Sequence, residues 1–99
     1  MDNHLKTNSP RSHADAHDHF KRTQTELCLR HQAWEEAQGR FERAALSQGL
    51  DGELTARARA SLLRAYEEYV VARAYHDVAR RTLWETVKVV QLERELSQA

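Results

Sequence analysis

Glycine and proline are scarce in this chain, and their placement divides it. Of 99 residues three are Gly and one is Pro. None of the four falls between Glu53 and Ser97, a stretch of 45 residues rich in Ala, Arg, Glu and Leu. With breakers absent and helix formers common, that stretch predicts one continuous helix, roughly 67 Å long at about 1.5 Å per residue. Cysteine is nearly absent too. Cys28 stands alone, so no intramolecular disulfide is possible and a reducing compartment is expected. No apolar run approaches the ~20 residues that cross a bilayer. Met1 to Arg11 is polar and lacks the apolar core of a signal peptide, so a cytoplasmic location is expected.

Net charge is missing as well. Lys plus Arg and Asp plus Glu both count 15, which argues against nucleic acid or an anionic membrane as the default partner. The chain shows no Gly-rich phosphate loop, no nucleophile set beside a base and no paired carboxylates placed for a pocket. No enzyme and no cofactor are expected. Internal repeats and low-complexity segments are absent.

What is present is apolar patterning at helical spacing. Phe20, Leu27, Trp34 and Phe41 recur every seven residues, with Ala16, Ala37, Ala44 and Ala45 on the same side and Arg22, Glu26, Glu36, Arg40 and Arg43 opposite. This is a heptad-like seam with one buried face. Thr23, Arg30 and His31 interrupt it, and Gly39 sits in mid-helix, where a close crossing or a slight bend is the expected reason. Ser9-Pro10 reads as a helix start, with Ser12 and Asp15 as an alternative cap three residues later. The stop falls at Gly49, with Leu50 expected to fold back on the cap. Asp51 is expected as the next N-cap, and Glu53 complements the dipole of the following helix. The short connection makes the two helices antiparallel neighbours.

The second helix differs from the first in being apolar on two sides. At 100° per residue one stripe gathers Leu54, Ala58, Leu62, Ala65, Tyr66, Tyr69, Ala72, Ala79, Leu83, Val87 and Val90. A second, roughly opposite, gathers Ala56, Ala60, Leu63, Val70, Val71, Ala74, Val78, Val89, Leu92 and Leu96, interrupted by Glu67, Arg81 and Glu85. Arg57, Arg64, Glu68 and Glu93 mark one flank between the stripes, and Arg59, Asp77, Lys88 and Glu95 the other. Ala on an exposed face is merely a good helix former. The Val and Leu of the second stripe have no such reason to be exposed, and a helix apolar on two sides is packed on two sides. Tyr75 points away from both stripes and Trp84 lies beside the main one. Both suit partner contact, because such side chains anchor interfaces.

The predicted fold is therefore all-α: an antiparallel helical hairpin of two long helices, dimerising into a four-helix bundle. Residues 1–9 are expected to be a disordered tail and 10–99 a single domain, with helices over 12–48 and 53–97 joined by a turn over 49–52. The expected function is that of a small non-enzymatic interaction protein, pairing with itself as a homodimer or docking on another helical protein. Its contact residues would be Ala60, Leu63, Val70, Val71, Ala74, Tyr75, Val78, Trp84, Val89, Leu92 and Leu96.

The alternative is a metal-responsive or nucleic-acid-binding regulator. His13 and His17 stand at i and i+4, so both imidazoles can reach one divalent ion, with Asp18 or His19 nearby. No second ligand cluster accompanies them, and a polar helix start is the blander explanation. Cys28, His31 and Glu35 form a second small polar set, more simply a half-buried thiol beside an edge histidine. His76 falls on the main stripe, where a hydrogen-bonded core role is expected. Arg57, Arg59 and Arg64, and then Arg73, Arg80 and Arg81, make basic rows that phosphates would favour. Glu67, Glu68, Asp77 and Glu85 interleave with them, as on ordinary solvated faces.

Overall fold

The computed structural model describes residues 12–98, and these form two long helices packed against each other as a helical hairpin. Helix α1 spans His13–Gln48 (36 residues) and α2 spans Glu53–Gln98 (46 residues). The expected tail over 1–9 and the Ser9-Pro10 start lie outside the described residues.

Helix α1 opens on the second of the two candidate caps. The Asp15 amide donates to Ser12 Oγ at 3.1 Å, and the Ala16 amide donates to the Ser12 carbonyl at 3.2 Å. That pair of bonds satisfies donors which a helix start otherwise leaves orphaned. Its last turn ends at Gly49, whose φ of +81° is the left-handed conformation that side chains disfavour. The Gly49 amide donates to the Ala45 carbonyl at 2.8 Å, the single bond of an αL cap. Leu50 does not fold back on this cap as the sequence suggested, and it stays exposed.

The start of α2 also departs from expectation. Gly52, not Asp51, holds the N-cap position, since its carbonyl accepts from the Ala56 amide at 3.0 Å. Glycine has no side chain to cap with, and Gln48 supplies the missing acceptor: its Oε1 accepts from the Leu54 amide at 3.2 Å. A Cβ on residue 52 would lie 2.6 Å from the Gln48 Cβ and 3.1 Å from its carbonyl, so the tightness of this turn requires glycine. Thr55 completes the turn. It is wholly buried, and its hydroxyl donates to the Gly49 carbonyl at 2.7 Å.

The contacting residues repeat every seven along both helices. On α1 they are Phe20, Leu27, Trp34 and Phe41, all half-buried. On α2 the matching row is Thr55, Leu62, Tyr69, His76, Leu83 and Val90, beside a row of small residues at Ala58, Ala65, Ala72 and Ala79. Among the described residues the buried apolar ones are Ala16, Ala37, Ala72 and Ala79. Small side chains let the backbones approach, and the larger ones straddle the seam with one edge in water.

Two compact units divide the chain, one of Thr25–Ala74 and one of Met1–Gln24 with Tyr75–Ala99. In the first, Trp34 stacks on Tyr69 with ring centroids 5.0 Å apart and tilts against Tyr66 at 5.2 Å. His31 meets Tyr69 edge-on, and its Nδ1 lies 2.7 Å from a Glu35 carboxylate oxygen. Arg30 bridges Glu26 at 2.7 Å and Glu68 at 3.0 Å, tying the helices across the seam. In the second unit His76 lies against Phe20 at 4.8 Å. The Thr23 hydroxyl donates to the Phe20 carbonyl at 2.9 Å, so its oxygen accepts from His76 Nδ1–H at 3.2 Å. Thr86 repeats the device, donating to the Leu83 carbonyl at 2.7 Å and accepting from His13 at 3.2 Å.

Gly39 faces no helix crossing. Within 4 Å an added Cβ would meet only the flexible guanidinium of Arg43. Gly39→Ala should therefore stabilise the fold by about 0.5–1 kcal/mol, since nothing offsets the cost of glycine in a helix interior. A thermal melt followed by circular dichroism at fixed protein concentration would show this as a rise of a few degrees. Thr55→Val keeps the shape at the turn but removes the bond to Gly49, and should lower stability by about 1–1.5 kcal/mol in the same assay. An unchanged melting temperature would show that this hydroxyl is not fixing the turn.

Candidate interaction face

Because α1 covers one side of α2, the side chains rotated half a turn away meet water. In the unit Thr25–Ala74 these are Ala56, Ala60, Leu63, Val70, Val71 and Ala74, all exposed. Leu63 keeps 57% of its surface and Val70 keeps 43%. In the other unit Val78, Val89, Leu92 and Leu96 are likewise exposed, rising to 69% at Leu96, and Tyr75 and Trp84 are exposed beside the row. Each residue singled out from the second stripe thus stands on the surface. Single exposed apolar residues are ordinary, but a helical row of them is not.

Polar groups on this face are uncommitted. Glu67, Arg81 and Glu85 interrupt the row, all exposed, and none has an ion pair or hydrogen bond among the described residues. The flanks differ. Arg57 pairs with Glu53 at 2.8 Å, and Arg80 reaches Asp77 at 4.0 Å. Arg59 lies over the Phe41 ring at 5.6 Å and donates to the Leu50 carbonyl at 3.4 Å. The two Arg rows are therefore partly engaged within the hairpin.

The other candidate groups are placed as follows. His13 and His17 have ring centroids 6.2 Å apart, and His13 is bonded to Thr86. Among the described residues no three His, Cys, Asp or Glu side chains converge as a metal-ligand set. Cys28 is exposed, His31 is turned to Glu35, and His76 is half-buried between Phe20 and Thr23. A polar depression on α1 is lined by Gln32, Glu35, Glu36, Gly39, Arg40 and Arg43, with no nucleophile in it. No described helix is long and apolar enough to cross a membrane.

One exposed cluster went unnoticed in the sequence. Leu46, Leu50 and Leu54 surround the turn, and Leu46 is 88% exposed. Leu54 has the spacing of the buried stripe, yet it stays 53% exposed while Thr55 beside it is the buried residue. The signal was available as three leucines spaced by four across a glycine turn. No protein-family model, curated protein or solved structure matches the chain.

Proposed function

We propose that this chain is a non-enzymatic interaction protein that works by pairing with a second copy of itself through the outer face of α2. The hairpin is the folding unit and a four-helix bundle is the working assembly. The observation that carries the reading is the row of Leu63, Val70, Val71, Val78, Val89, Leu92 and Leu96, exposed on the side of α2 that α1 leaves open. Burying such side chains contributes about 1.5–3 kcal/mol each where burial is complete, and a hairpin whose seam is built on alanines buries little apolar surface of its own. A face of this kind on a long helix suits recognition of a matching helix, whose own stripe repeats at the same rise.

Light scattering behind size exclusion, over a hundredfold range of concentration, tests the proposal. A mass near twice 11.5 kDa is expected. Replacing Val70→Ala and Val78→Ala together should weaken assembly by about 2–4 kcal/mol, or roughly thirty- to a thousandfold in Kd, while helicity stays unchanged. A mass of 11.5 kDa at every concentration would overturn self-pairing.

A further inference from the structure

We infer that the second copy binds antiparallel, on a two-fold axis passing beside Ala74, with Glu67 of each chain paired to Arg81 of the other. The inference rests on the self-pairing proposed above and specifies its geometry. All the residues concerned stand on one unbroken helix, so their spacing is set by the helix itself.

The charges inside the apolar row carry the argument. Glu67 lies seven residues before Ala74 and Arg81 seven residues after it. An antiparallel partner centred on Ala74 therefore sets Glu67 against Arg81 twice, once on each side of the axis. The same operation sets Val70 against Val78, four residues either way, and brings two alanine methyls together at the centre. Glu85 falls one residue out of step with Arg64, on the same flank, and reaches it. Three charges that interrupt the row thus find opposite charges by a single symmetry operation. Glu67, Arg81, Glu85 and Arg64 are exposed and without ion pairs among the described residues, so pairing across the axis breaks no existing bond.

The competing arrangement fails on the same residues. A parallel, in-register partner would set Glu67 against Glu67, Arg81 against Arg81 and Glu85 against Glu85, and like charges facing one another oppose association. The antiparallel arrangement has one adverse pair, Lys88 near Arg59. Both are exposed and lie toward the ends of the contact, where long stems can carry their charges into water. A two-fold interface must be self-complementary, and this row meets that condition at Ala74.

Charge exchange and cross-linking test the geometry on the full chain. Glu67→Arg alone and Arg81→Glu alone should each raise the dimer Kd about a hundredfold, because each change acts twice across the axis. The double variant Glu67→Arg, Arg81→Glu should return to within about threefold of the starting value. In a Cys28→Ser background, an equal mixture of Val70→Cys and Val78→Cys chains should form a disulfide-linked dimer under mild oxidation. Val70→Cys alone should not. Single charge variants without effect, or self-linking by Val70→Cys, would overturn the antiparallel axis while leaving self-pairing intact. A monomer in every sample would remove both proposals together.

Discussion

A seam of alanines sets the terms for everything else in this molecule. Ala16, Ala37, Ala72 and Ala79 are the buried apolar residues among those described, and an alanine contributes little area when it is covered. The larger side chains of the seam, from Phe20 to Phe41 on one helix and from Leu62 to Val90 on the other, are held at its edges and stay half wet. Two helices sharing one line of contact have no third surface on which to bury more. Stability must then come from close approach along a long seam and from well-made ends. The turn shows how much is asked of those ends: Gln48, Gly49, Gly52 and Thr55 satisfy each other within a few residues.

Polar residues can sit in so thin a seam because each is matched. Thr23 with His76, and Thr86 with His13, use one device: the threonine hydroxyl turns back on its own helix and offers its oxygen to the imidazole. Arg30 spans the seam between two carboxylates instead of entering it. Surface ion pairs of this kind add little stability, generally below about 1 kcal/mol. Their effect is on register, since sliding one helix by a turn would separate every matched pair at once.

The sequence was readable wherever structure depended on spacing along one helix. The breaker-free stretch after Glu53, the glycine stop at Gly49 and the seven-residue recurrence from Phe20 to Phe41 are local signals, and the hairpin carries each of them. It was less readable where the deciding contact crossed the turn. Asp51 is a good cap by composition, yet Gln48 reaches over and takes that role for Leu54, which frees the position for a glycine that packing requires. Thr55 carries no signal in a pattern of apolar residues, yet with its hydroxyl bonded to the Gly49 carbonyl it packs as a buried side chain. Thr23 looked like an interruption until its partner, more than fifty residues away, was in view. Leu54 shows the same limit: the seven-residue row enters the turn at Thr55, and Leu54 beside it is left exposed.

The two apolar rows of α2 also differ in period, and the difference bears on how a partner would sit. The inner row repeats every seven residues from Thr55 to Val90, which drifts by roughly 20° per repeat on a straight helix and favours a left-handed coil with α1. The outer row recurs at eleven, from Leu63 to Ala74 and, past Glu85, to Leu96, and again from Val78 to Val89. A period of eleven favours a straight or slightly right-handed path. One helix cannot follow both, so the two rows drift in opposite senses along α2. At 100° per residue the two rows come to half a turn apart near Ala79 and depart from that opposition toward either end. The proposed axis at Ala74 lies within two turns of that point. An alanine stands at that axis, with charges of opposite sign spaced equally on either side of it.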